Sequence, residues 1–134
     1  MTEIELDLYV ELAPKLNEYR GEWQPRDAAM ISWGDTGEWR DVDYWAGLDT
    51  LAVNGFRVVW LPLPIDPSDP ERIARGEKPR GLWGMLTSSY KELSFDLSNG
   101  PIETYSLRFY IANSWRVVKA KTPTEVLLLA LKER

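Results

Sequence analysis

Three consecutive runs between positions 92 and 120 restrict the fold of this chain more than any other feature. Leu93, Phe95 and Leu97 alternate with Glu92, Ser94 and Asp96. Tyr105, Leu107, Phe109 and Ile111 then alternate with Thr104, Ser106, Arg108 and Tyr110, and residues 115–120 follow. Alternation at every second position places one set of side chains on one face of a strand and the other set on the opposite face. Asn99-Gly100 and Ala112-Asn113-Ser114 supply the turns, so an antiparallel three-strand meander is expected. The chain then reads TPTEVLLLALKER. Thr122 suits the cap of a helix, Pro123 its first position, and Glu125 lies three residues on, where a capping carboxylate reaches back. The apolar stretch 126–131 predicts that this helix lies against the sheet, and Lys132 and Arg134 complement its negative end.

The first half is less explicit. In TEIELDLYVEL, Ile4, Leu6, Leu8, Val10 and Leu12 alternate with polar residues and Tyr9. This predicts a strand to Leu12, then a short helix begun by Pro14 and running to Tyr19, with Gly21 after it. A helical reading through Leu8, Leu12 and Leu16 competes. Residues 28–33 read as a buried strand, 34–37 as a turn and 39–44 as its returning partner. Asn54-Gly55 between two β-rich runs predicts a hairpin pairing 50–53 with 56–61.

Five of the nine prolines fall between Pro62 and Pro79. They exclude a central strand there, and Ser68 or Asp69 followed by Pro70 predicts a short helix ended by Gly76. This loop is either a lid or a proline-braced connection, and Asp66, Asp69, Arg72, Arg75 and Arg80 are its candidate binding side chains. The fold class expected is α+β: one antiparallel sheet of about five to seven strands, a C-terminal helix on one face and a proline-rich loop with a short helix. Residues 1–134 are read as one compact domain.

The chain contains no cysteine and no histidine, which removes disulfides, thiolate nucleophiles, imidazole catalysis and most zinc or haem ligation. The N-terminus carries acids where a secretory signal carries bases, and no apolar run reaches the length of a membrane span; a cytoplasmic location is the default expectation. Net charge is −5, divided as −8 over residues 1–50 (twelve acids, four bases) and +3 over residues 51–134 (nine acids, twelve bases). Gly-x-Gly-x-x-Gly and the Walker lysine motif are absent. Ser88-Ser89-Tyr90-Lys91 matches Ser-x-x-Lys, but the companion Ser-Asp-Asn and Lys-Thr-Gly elements do not occur, and a loop leading into a strand is the expected setting.

The segment SWGDTGEWRDVDYWAG, 32–47, packs Trp33, Trp39 and Trp45 among Asp35, Glu38, Asp41 and Asp43. Evenly spaced by six, the tryptophans would share one side of a continuous strand, although Gly34 and Gly37 interrupt it. Asp41 and Asp43, with Asp35 and Glu38, could hold a hard cation through oxygen; as solvated acids they would instead steer a basic partner toward tryptophan anchors. The latter is the leading expectation: a non-enzymatic protein-binding module of inhibitor, immunity or regulatory-subunit type, meeting a basic partner through Trp33, Asp35, Glu38, Trp39, Asp41, Asp43 and Trp45, with no metal and no cofactor. A homo-oligomer is compatible with this reading. The alternatives are a carboxylate enzyme or a glycan or small-molecule binder with a tryptophan-lined pocket, and single-stranded nucleic-acid binding by Arg72, Arg75, Lys78, Arg80, Arg108, Tyr110, Arg116, Lys119 and Lys121.

Overall fold

Helix α1 (Glu3–Tyr19) opens the chain, followed by strands β1 (Ala29–Trp33), β2 (Arg40–Asp41) and β3 (Phe56–Trp60), helices α2 (Asp69–Ala74) and α3 (Leu82–Ser89), the meander β4 (Leu93–Ser98), β5 (Thr104–Ile111) and β6 (Ser114–Ala120), and helix α4 (Pro123–Lys132). This computed structural model describes residues 1–19, 28–33, 37–42, 52–90, 92–98 and 104–134. The class is α+β, but the strands divide into two antiparallel sheets, β2-β1-β3 and β4-β5-β6, where one sheet of five to seven strands was expected.

The second sheet follows the alternation in the sequence. Leu93, Phe95 and Leu97 register with Phe109, Leu107 and Tyr105, and Leu107 registers in turn with Val118. Leu107 and Phe109 are fully buried beneath α4, whose Val126, Leu127, Leu128, Ala130 and Leu131 are buried as well. Each such Val, Leu or Phe side chain contributes about 1.5–3 kcal/mol by leaving water. The β5–β6 turn has both Ala112 and Asn113 at positive φ, 50° and 62°, which matches the right-handed twist of the strands it joins. One half of the predicted capping box forms, the Glu125 amide donating to Thr122 Oγ1 at 3.1 Å, whereas among the described residues no bond runs from the Thr122 amide back to the Glu125 carboxylate.

The predicted N-terminal strand is instead the first part of α1. The stripe that enters the core is Glu5, Leu8, Tyr9, Leu12 and Leu16, whereas Ile4 of the alternating set is exposed. Three-and-four spacing therefore decides the segment, with Pro14 tolerated inside the helix on its exposed side at the loss of one backbone bond. Thr2 and Glu5 form a second capping box: the Glu5 amide donates to Thr2 Oγ1 at 3.1 Å and the Thr2 amide to Glu5 Oε2 at 3.3 Å. Glu5 Oε1 accepts from Thr122 Oγ1 at 2.6 Å, so one buried carboxylate ties the starts of α1 and α4.

The hairpin expected around Asn54-Gly55 does not form. Residues 52 and 53 are helical, Gly55 alone of the pair has positive φ, 92°, and its amide donates to the Ala52 carbonyl. A type I′ turn needs positive φ at both central residues; one left-handed glycine after a helical stretch is a helix ending. Strand β3 pairs with β1 along its whole length, Ala29 with Trp60 through Trp33 with Phe56. Residues 50 and 51 lie outside the described residues. So does Gly21, beyond the end of α1.

The proline-rich segment carries α2 as predicted, with Ser68 at the cap, Pro70 in the first turn and Gly76 at φ 78° beyond the end. It is pinned at several points. Tyr9 donates to the Pro62 carbonyl at 2.9 Å, and the Leu82 and Trp83 amides donate to the carbonyls of Leu63 and Pro64. Helix α3, where a loop and strand were expected, is started from a distance. The Asp69 carboxylate, only 5% exposed, accepts from the amides of Arg80 at 2.7 Å and Gly81 at 2.9 Å. Gly84 is required beside it, because a methyl there would collide with Asp69 Oδ2. Core residues of α1, β3, α3, β5 and α4 form one cluster. No helix among the described residues is long and apolar enough to cross a membrane.

Candidate functional site

Trp33 ends β1, and its side chain is 63% exposed. Such a residue needs a reason to hold its position, and two neighbours provide one. The Phe56 ring meets it edge-on at 4.7 Å, and a Cβ placed on Gly55 would lie 4.0 Å from the outer edge of the indole. Gly37 closes the chain back on Trp33, its amide donating to the Trp33 carbonyl at 3.2 Å while its own carbonyl accepts from Ser32 Oγ at 2.6 Å. A Cβ at residue 37 would lie 2.6 Å from the Trp33 oxygen, so only glycine fits this turn.

Strand parity sorts the remaining candidates. Ile31 pairs with Arg40 and Met30 with Asp41; side chains on one face of a sheet share parity across the register. Trp33, Ile31, Phe56 and Arg40 therefore share one face and, together with Glu38, line a hollow of about 300 Å³. Trp39 and Asp41 fall on the other face with Ser32 and Arg57. There the Arg57 guanidinium lies 4.6 Å from the centroid of the Trp39 ring, and Trp39 is half-buried against the core. The expectation that the tryptophans share one side is thus overturned for Trp33 and Trp39 by the turn at Gly37. Asp35, Asp43 and Trp45 lie outside the described residues. Glu38 and Asp41 are exposed, and only Glu38 joins the hollow.

Of the loop candidates, Asp66 and Arg80 line a small hollow of about 100 Å³ together with Trp60 and Leu63, and the others are engaged within the loop or by α3. Asp66 Oδ1 accepts from the amide and hydroxyl of Ser68, Arg72 donates to Ser68 Oγ, Arg75 pairs with Glu77 at 2.6 Å, and Asp69 is taken up by α3. A hollow of about 310 Å³ between the loop and α3, lined by Ile65, Asp66, Ile73, Trp83 and Thr87, is mainly apolar. Ser88 and Ser89 end α3, and both hydroxyls donate to the Met85 carbonyl, which leaves no free serine geometry for the Ser-x-x-Lys reading; Lys91 lies outside the described residues.

The displaced titrations belong to tyrosines. Burial pushes the Tyr9 phenol well above its ordinary value, reinforced by the Glu5 carboxylate. Tyr90 is raised by burial and by Glu133, opposed by Arg116. Both phenols donate to buried carbonyls, of Pro62 and Ala130, so these shifts mark packing and not acid–base chemistry. Among the described residues no group of three or more acidic side chains comes together to hold a metal ion. Comparison with protein-family models, curated proteins and solved structures returned no match.

Sequence reasoning missed two parts of this site. Phe56 and Arg40 enter it through the non-local β1–β3 pairing and the parity of β2. The Gly37 break signals that parity changes after Trp33, but the register that brings Phe56 and Arg40 to it exists only in the folded sheet.

Proposed function

We propose that the protein is a non-enzymatic protein-binding module, of inhibitor, immunity or regulatory-subunit type, that docks through the Trp33 face of its first sheet. The observation that carries this reading is Trp33 itself, 63% exposed yet braced by Phe56. A large aromatic already held in place loses little conformational freedom when a partner covers it, which is what makes tryptophan an effective interface anchor. Glu38 and Arg40 at the rim give the hollow one charge of each sign, a basis for orientation and specificity more than for affinity. The net −8 of residues 1–50 supplies longer-range attraction to a partner with a basic surface. The whole chain, 1–134, acts as one unit, a reading supported by the core shared between helices and both sheets.

The test is affinity capture from source lysate at low and moderate salt with the wild type and Trp33→Ala, followed by binding kinetics on the retained protein. A stoichiometric partner whose affinity drops about 30-fold in the variant, a typical anchor loss of about 2 kcal/mol, supports the proposal. Charge reversal at Glu38 and Asp41 should slow association at low salt. Equal retention by the variant removes the docking face, and empty beads at both salts remove the protein-binding reading.

A further inference from the structure

The second sheet has an outer face that no element of the first reading uses. Residues of even number on β4 and β5 point away from α4, and the β6 residues registered with them do the same. Ser94 and Arg108 lie in line with Val117, Asp96 and Ser106 with Lys119, and Tyr110 opposite Trp115. Arg108, Trp115, Val117 and Lys119 are exposed, although Trp115 and Val117 are the kind of side chain a sheet normally buries.

This face is organised. Tyr110 meets the Trp115 ring at 5.4 Å, and the Arg108 guanidinium lies 4.3 Å from its centroid, so an aromatic platform stands beside a fixed cation. Lys119 and Trp115 occupy the two diagonal neighbours of Arg108 on β6, each about 7–8 Å away along the sheet. No ion pair among the described residues engages Arg108 or Lys119. Arg116, whose parity puts it on the opposite face, is instead paired with Glu133 at 3.2 Å. The basic residues of the last hairpin therefore divide: Arg116 is neutralised toward α4, Arg108 stands against Trp115, and Lys119 lies on the same face one diagonal further along. The face's acids, Asp96 of β4 and by the same parity Glu92 just before that strand, lie on the other side of Arg108 from β6, so an anionic chain would follow the β5–β6 diagonal.

We propose that this face binds single-stranded nucleic acid, with Trp115 and Tyr110 receiving bases and Arg108 and Lys119 receiving phosphates. Stacking surfaces interleaved with cations suit unpaired bases on a sugar-phosphate chain. An acidic peptide would satisfy the cations but has no planar groups for the tryptophan. The footprint covers two to three nucleotides by the spacing above, so binding is weak and visible at low salt. The inference is independent of the Trp33 face.

Fluorescence anisotropy with a labelled eight-nucleotide oligothymidylate, from 20 to 200 mM salt, is the experiment. Two phosphate contacts predict a slope of log K against log salt near −1.4, about 0.7 for each cation, so Lys119→Ala should bring it to about −0.7. Trp115→Ala should weaken binding about tenfold, while Trp33→Ala leaves it unchanged. Lys119 sits in the open, so its variant keeps the test available if Trp115→Ala fails to fold. Absence of binding at 20 mM salt, an unaltered slope in Lys119→Ala, unchanged affinity in a folded Trp115→Ala, or equally effective competition by polyglutamate would each overturn the proposal.

Discussion

The two helices that flank the second sheet begin in different ways. Helix α4 is capped by its own neighbours: Thr122 accepts from Glu125 three residues away. Helix α3 has glycine at its cap position and no side-chain cap of its own; its first two amides, of Leu82 and Trp83, are met by the Leu63 and Pro64 carbonyls, and the two amides just before them by Asp69, eleven and twelve residues upstream. One start is written where it happens and the other depends on a chain excursion that first has to fold. The same division separates the sheets. Strands β4, β5 and β6 are successive neighbours, whereas β1 finds β3 across an intervening segment in which the sequence offers a false hairpin.

The largest test of this contrast is removal of the distant cap. Asp69→Ala leaves the buried Gly81 amide and the part-buried Arg80 amide unpaired just before α3, and a loss of about 3 kcal/mol is expected in urea unfolding, from two charge-assisted bonds partly repaid by neutralising a buried group. Gly84→Ala should cost about 1–3 kcal/mol through its collision with the carboxylate. In the double variant the new methyl occupies space the carboxylate has left, so the combined loss should fall well short of the sum. Strict additivity would show that Asp69 and Gly84 do not act on one another.

The tie between α1 and the proline-rich segment gives the next effect. Tyr9 holds its proton more firmly in the folded protein than in the unfolded chain, whose phenols titrate near 10. The folded state therefore binds more protons above that value. The stability this contributes is complete below pH 10 and is lost as pH rises above it, by up to about 1.4 kcal/mol per pH unit for the one group. Tyr90 adds in the same direction. Chemical denaturation at pH 8 to 11 should show a level region and then a fall. Tyr9→Phe should start lower, having lost its bond to Pro62, but fall less steeply; an equal slope would remove Tyr9 from this account.

A smaller effect lies within the legible half. The β5–β6 turn places Ala112 at φ 50°, a conformation that costs an ordinary L-residue about 1–2 kcal/mol. Ala112→Asn, a residue that tolerates it, should raise stability by about 0.5–1 kcal/mol. The turn's location is thus plain in the sequence, while the positive φ at Ala112 is imposed by the twist of strands already paired.

What was readable follows the reach of the interactions. The meander, α4, α2 with its Gly76 ending, and the β1 and β3 segments each depend on residues within a few positions of one another. Helix α1 was misread because strict alternation over nine residues outweighed a Thr2–Glu5 capping box that was equally local and was overlooked. The β1–β3 pairing, the cap of α3 and the separation of Trp33 from Trp39 depend on residues brought together only by the fold. Of the candidate site, Trp33 and Glu38 were legible by type and position. Their true neighbours were not, because parity across β1, β2 and β3 cannot be assigned until the register exists.

Trp33→Ala completes the series with the least expected effect on stability. The indole is exposed over most of its surface, so truncation forfeits chiefly its edge contact with Phe56, worth about 0.5 kcal/mol at such a site, and leaves no buried cavity. The local structure that positions it, the Gly37 turn and the Ser32 bond, runs through backbone and a neighbouring hydroxyl and survives the change. A shift within about 0.5 kcal/mol of wild type, set against the far larger loss for Asp69→Ala, would mark Trp33 as a side chain the fold carries without needing. A loss of about 2 kcal/mol or more would instead make it part of the packing of β1 on β3 and withdraw the main reason for placing a partner there.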